Sequence, residues 1–265
     1  MSTRKPNFGI LRLTVPKLGE SVLSNADRTA ISVEGGTFAI ADGASRSYRP
    51  GDWANRVAEK SVFLGRLPLV REVELLAAQF VSEIPVGNNW MEEELKARGS
   101  HTTVLIVRHE RTSGDGVTQE FRAESLGDCL LISVNPDGWS RTWPASSQED
   151  FVSMPGAMCT VAPFVTAQAV STSVSVEDGG FLVLMTDALA RFFVRFKESY
   201  GISHDFFDAF PFFHSPEFEL WGKRSSREAV LLSFAEWADD ARRSGQLEDD
   251  DLTMLIVEPA VTLAT

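Results

Sequence analysis

Three short acidic turns each adjoin an apolar, β-rich run: Phe38-Ala39-Ile40-Ala41-Asp42-Gly43-Ala44-Ser45, Phe181-Leu182-Val183-Leu184-Met185-Thr186-Asp187-Ala188-Leu189 and Asp249-Asp250-Asp251-Leu252-Thr253-Met254-Leu255-Ile256-Val257. Strands buried in a sheet fix their ends. Carboxylates placed there can converge and hold hard divalent cations against their mutual repulsion. Two more turns carry the same signature: Asn25-Ala26-Asp27-Arg28, and Leu126-Gly127-Asp128-Cys129 between two strand-like runs. Asp-Gly and Gly-Asp are common turn dipeptides, so any one of these alone reads as a turn. Their recurrence at strand edges is what points to chemistry. Carboxylates with no His or Cys among them favour Mg²⁺ or Mn²⁺ over zinc or copper.

Other candidates are poorer. His101, His109, His204 and His214 are scattered and read as surface or hydrogen-bonded core histidines, and Ser45 and Ser100 lack a neighbouring His-Asp arrangement for nucleophilic catalysis. Cys129 and Cys159 have no CxxC spacing and read as reduced core thiols of a cytosolic protein.

The elements that must position the acids follow from periodicity. Strand patterns cover Gly9–Val15, Ala30–Val33 and Thr37–Ala41, with Gly35-Gly36 as a hairpin turn. Helical spacing follows over Asp52–Leu64, with Asp52 expected as the cap, then Glu72–Glu83 and Trp90–Arg98, where Gly99 is a stop. Strands return at Thr102–Arg108, Gln119–Leu126, Cys129–Val134 and Trp139–Trp143, with short ones expected at Thr160–Val165 and Ala167–Val174. Phe181–Thr186 is an apolar strand, Leu189 to Phe196 has helical spacing, and Arg227–Ser244 is an amphipathic helix before the last acidic turn and strand. The Phe-rich stretch His204 to Pro216 reads as core packing, its role otherwise open. Without regular β-α alternation the order excludes a doubly wound sheet and calls for an α+β fold of antiparallel sheets covered by helices.

The chain has 265 residues, 43% of them apolar, which suits a single globular domain over 1–265. Its formal charge of −12 disfavours nucleic acid, and no run of 18 apolar residues or signal-like segment is present, so neither secretion nor membrane insertion is expected.

Taken in order, the motifs resemble those of the metal-dependent type 2C protein serine/threonine phosphatases, in particular their compact bacterial branch. The matching elements are Asn25-Ala26-Asp27, Asp42-Gly43-Ala44-Ser45, Gly99-Ser100-His101-Thr102, Gly127-Asp128-Cys129, Thr186-Asp187-Ala188 and Asp250-Asp251-Leu252-Thr253, spanning about residues 9 to 258. The resemblance implies two packed antiparallel sheets flanked by helices, with a binuclear Mg²⁺ or Mn²⁺ centre at one end. It implies that Asp42 bridges both ions, the Gly43 carbonyl ligates the second, Asp187 and Asp250 hold the first, Asp27 acts through waters, and Asp128 helps a third, looser ion. Catalytic roles fall to Asp42, Asp187 and Asp250, and the partner would be a phosphorylated protein, opposing a kinase.

Departures matter as well. The family's upstream phosphate-binding Arg is missing, because Ser21-Val22-Leu23-Ser24 has no basic residue. Arg46 or Arg49 can serve instead, the alternative being that they are solvated or pair with Asp52. Ala26 replaces an acidic residue and Ala188 a glycine, but no direct ligand is lost. The runner-up is a catalytically silent module that keeps the fold and binds a phosphoprotein or regulator. A hydrolase of small phosphoesters is a third reading.

Overall fold

A computed structural model of the chain describes residues 7–84, 90–113, 117–151, 155–200, 206–214 and 224–260. Its strands are β1 (Asn7–Val15), β2 (Arg28–Ser32), β3 (Thr37–Gly43), β4 (His101–Thr112), β5 (Gln119–Leu126), β6 (Leu130–Val134), β7 (Ser140–Trp143), β8 (Met158–Cys159), β9 (Val170–Val176), β10 (Phe181–Met185) and β11 (Leu252–Ala260). The helices are α1 (Pro50–Leu64), α2 (Val70–Glu83), α3 (Trp90–Arg98), α4 (Asp187–Tyr200), α5 (Phe206–Ala209) and α6 (Arg224–Arg243).

The strands form two antiparallel sheets, ordered β1-β11-β10-β6-β7 and β2-β3-β4-β5-β9, with β8 paired to β4. Successive side chains on a strand point to opposite faces, and the sequence uses both faces. On β3, Phe38 and Ile40 meet Leu105, Leu182, Leu184 and Leu255 between the sheets, while Ala39 and Ala41 face Trp53, Ala54 and Val57 of α1. Alanines on that outer face let the helix approach the sheet closely. On β11, Leu255 and Val257 point into the sandwich, and Met254 and Ile256 point to the layer of α4 and α6. The expected α+β sandwich with helices on both sides is what forms.

The Phe-rich stretch packs as core: Phe206, Phe210, Phe212 and Phe213 are buried against Phe193, Phe234 and Trp237. His204, Ser215 and Pro216 lie outside the described residues. His109 is satisfied by Gln119 at 2.9 Å and by edge contacts with Phe8 and Phe121, and both cysteines are buried and free.

Three expectations are corrected. Asp52 does not cap α1: Arg49, in the left-handed region at φ 43°, is the capping residue, because Pro50, whose fixed φ suits a first helical turn, starts the helix earlier. Thr160–Val165 is not a strand; pairing stops at Cys159, apart from a single bridge between Met158 and Val165. Pro163 in that stretch has no amide hydrogen for a ladder. The strand expected over Ala167–Val174 runs over Val170–Val176, set by pairing with β5.

Candidate active site

Register brings the acids together. Val15 pairs with Leu252, Met185 with both Met254 and Leu130, Arg28 with Ala41, and Gly43 with Thr102. In antiparallel sheets these pairings put the end of β3, the end of β10, the start of β2, the start of β6 and the start of β11 at one end of the sandwich. Asp42, Asp187, Asp27, Asp128 and Asp250 sit there.

Each turn has a local reason for its residues. Asp42 lies within β3, and its carbonyl accepts the Thr102 hydroxyl at 2.7 Å. Gly43 must be glycine: a Cβ there would stand 2.6 Å from the Pro50 carbonyl carbon and oxygen. Thr186 is the knot of the site. Its hydroxyl donates to Asp27 Oδ2 at 2.9 Å and accepts the Thr253 amide at 3.0 Å, tying β10 and β11 to the turn before β2. Asp187 begins α4, where the helix N-terminus favours a carboxylate, and its charge is among those that raise the Asp42 carboxyl.

The Asp249-Asp250-Asp251 run divides its tasks. Buried Asp251 accepts the backbone amides of Ala26 at 2.7 Å and Lys17 at 3.2 Å, and Asp249 accepts that of Leu18 at 2.9 Å. These two fix the segment leading to Asp27. Asp250 instead meets the Lys17 ammonium at 2.9 Å, and Lys17 also donates to Ser45 Oγ at 2.9 Å.

Electrostatics show how strongly the carboxylates feel one another. The Asp42 carboxyl is pushed well above the usual range by burial, and then by the charges of Asp27, Asp187, Asp128 and Asp250. Asp27 is pushed up to about 8 by burial, opposed by the Thr186 hydroxyl. Asp128 rises to about 6 through burial and the charge of Asp187, with Arg191 opposing. Asp187 is also raised by burial, against the pull of Arg191.

Does this donor set suit divalent ions? Among the described residues no group of three or more His, Cys, Asp or Glu side chains stands arranged to hold a metal ion. The chemistry of the donors nevertheless fits hard cations around Asp42: all are oxygens, their charges repel, and Asp27 Oδ1 is buried without a hydrogen-bond partner among the described residues. At Asp128 the fit fails for a further ion. The Arg191 guanidinium stands there already, 3.7 Å from Asp128 and 3.2 Å from Asp187.

Among the basic residues anticipated for phosphate, Arg49 is 3.6 Å from Asp52 and lies over the Tyr48 ring, and Arg46 is exposed in the turn after Gly43. Among the described residues, the cations that pair with the carboxylates of these five acids are Lys17 and Arg191, which sequence reading passed over. Arg191 left a signal, being four residues after Asp187 on one helix. Lys17 left none, since only the pairing of β1 with β11 brings it to Asp250. The cleft between the sheets lined by Trp139, Arg141, Trp143 and Ser173 contains none of these acids.

No protein-family model matches the sequence, and no curated protein matches it. Solved structures do match. The photosystem II phosphatase PBCP superposes with a TM-score of 0.56 at 16% identity, covering 97% of this chain and 100% of its own. The serine/threonine phosphatase PstP/Ppp of Mycobacterium tuberculosis gives 0.56 at 14% identity over 95% and 98%. The PstP catalytic domain in complex with two manganese ions gives 0.56 at 14% identity over 96% and 99%. At this identity the likeness establishes a common fold over nearly the whole of each chain.

Proposed function

We propose that this chain, which has the fold of the type 2C serine/threonine phosphatases, is itself a metal-dependent phosphatase that hydrolyses phosphoserine and phosphothreonine on proteins. The observation that carries the reading is the convergence of Asp27, Asp42, Asp128, Asp187 and Asp250 on one end of the sandwich, close enough for several to raise the Asp42 carboxyl together. The domain spans about residues 9–258, acts in the cytoplasm, and opposes a kinase through a phosphoprotein partner.

Asp42, the Gly43 carbonyl, Asp187 and Asp250 would hold two Mg²⁺ or Mn²⁺ ions, with Asp27 acting through water. The chemistry such a pair supplies is activation of water and neutralisation of phosphoryl oxygens, without a covalent enzyme nucleophile. The chain's own residues do the rest. Asp251 and Asp249 hold the segment that carries Lys17, so its ammonium is presented at the mouth of the site, between Asp250 and Ser45. Lys17 takes the place of the missing upstream Arg as the cation facing the phosphoryl group, with exposed Arg46 as the second basic group and Arg49 held back against Asp52.

Lys17→Met is expected to raise KM for a phosphothreonine peptide roughly 10- to 100-fold, the scale of a lost charge-assisted hydrogen bond. Arg49→Ala is expected to leave KM within about twofold, the scale of an exposed ion pair. Steady-state kinetics on both variants checks this.

One observation favours a second reading, a silent module that binds phosphoproteins without cleaving them. Two proposed ligands are already engaged by protein cations, Asp250 by Lys17 and Asp187 by Arg191. The experiment that decides is phosphate release from a phosphothreonine peptide by protein supplied with Mn²⁺. Turnover that chelator abolishes supports the phosphatase; peptide binding without turnover supports the silent module.

A further inference from the structure

We infer that the Arg191 guanidinium is a built-in cation that closes the Asp128 side of the acidic cluster to a further divalent ion. The inference rests on the reading that the cluster around Asp42 binds Mg²⁺ or Mn²⁺.

Arg191 lies one helical turn after Asp187 on α4, which places both side chains on one face. Its Nη2 stands 3.2 Å from Asp187 Oδ2 and 3.7 Å from Asp128 Oδ2, and its Nη1 stands 3.5 Å from Glu248 Oε2. Three carboxylates from three separate parts of the chain therefore meet one guanidinium. This is not a surface ion pair: the Asp128 and Asp187 side chains are only 7% and 16% exposed, and that of Arg191 29%. At such burial an unpaired charge is costly, so removing one partner is felt by the others.

The guanidinium is also held by the chain around it. The Phe151 ring lies 5.8 Å from it, and the turn Gln148–Asp150 just before that ring is fastened to α4 twice: Gln148 Nε2 donates to the Arg191 carbonyl at 2.7 Å and the Gln148 amide to Glu198 at 2.9 Å. The buried Nε has no hydrogen-bond partner among the described residues, so the group is placed by charge more than by hydrogen-bond completeness.

Guanidinium and metal are alternatives at this place. A divalent ion of this kind needs several oxygens at about 2.0–2.6 Å, whereas the bulky guanidinium keeps its permanent charge at any working pH and cannot be chelated away. With Asp128 committed to Arg191, the centre has fewer exchangeable cations than it has carboxylates. Arg191 is thus a positioning residue that sets ion stoichiometry.

Direct Mn²⁺ binding by stripped protein, read by the electron paramagnetic resonance of free Mn²⁺, tests this without relying on turnover. Arg191→Gln is expected to bind about one more equivalent of Mn²⁺ per chain than wild type, and Arg191→Gln/Asp128→Asn is expected to lose it again. Arg191→Met, which keeps the stem beside Phe151, serves as a second variant should the first not fold, as judged by circular dichroism. Equal, non-zero stoichiometry in wild type and both single variants overturns the inference and leaves the metal-centre reading standing. An extra equivalent that survives loss of Asp128 also overturns it. A wild type that binds no Mn²⁺ overturns both.

Discussion

Stripped of divalent cations, the protein is expected to melt at progressively lower temperature as pH rises from 5 to 9. Asp27 carries the sign. Its carboxyl titrates at about 8 in the folded chain, whereas an unfolded aspartate titrates near about 3.9. Between those values the folded state binds a proton that the unfolded state has released. Stability from this group is complete below the unfolded value and is lost as pH climbs through the folded one. Asp42 is raised in the same direction, by burial first and by its acidic neighbours next, and adds to the slope.

Divalent ion should reverse the loss, since a cation stabilises the charged carboxylates that high pH creates. At a concentration about 100 times the dissociation constant, binding adds about 2.7 kcal/mol, or roughly 5–10 °C in melting temperature for a chain of this size. Scanning calorimetry at pH 5, 7 and 9, with and without Mn²⁺, is the measurement. Asp27→Asn should flatten the metal-free slope. A melting temperature that is constant or rises over that range would contradict the assignment of buried, mutually repelling acids.

The second large effect is expected from Asp42→Asn: activity and stability should move in opposite directions. The change keeps shape and removes one negative charge from the middle of the cluster. Phosphopeptide turnover should fall by about 10³-fold or more, the scale on which loss of a group that organises transition-state charge is felt. The metal-free protein at pH 8 should meanwhile melt higher than wild type, because the burial and repulsion that raise the Asp42 carboxyl are relieved. Turnover and calorimetry on the same preparation check both. A variant that loses stability and activity together would show that Asp42 serves the fold instead.

Much of this was legible in the chain because strands report their two faces. The alternation of Phe38 and Ile40 with Ala39 and Ala41, and of Leu255 and Val257 with Met254 and Ile256, assigns each side chain to the sandwich or to a helical layer before any pairing is known. The acids at the ends of those runs were equally visible, through their recurrence at strand edges and not through any one turn. What escaped was whatever depends on register and on contacts across elements. Lys17 reaches Asp250 only because β1 and β11 align Val15 with Leu252. Asp251 looked equivalent to its neighbours, yet it alone is buried and clamps Ala26 and Lys17. Arg191 was readable as a helical neighbour of Asp187, but its link to Asp128 and Glu248 crosses three elements. Asp52 shows the limit of local signals, because Pro50 overrode it in starting α1.

Asp42 and the carboxylates around it are proposed above as a divalent-cation centre. Diffraction from crystals grown with Mn²⁺, recorded where manganese scatters anomalously, tests it most directly. Anomalous peaks are expected within coordinating distance of the Asp42 carboxylate, with Asp187 and Asp250 turned from Arg191 and Lys17 toward the ions. Absence of any peak at this end of the sandwich, with Asp187 still paired to Arg191 and Asp250 to Lys17, would contradict a divalent-cation centre there.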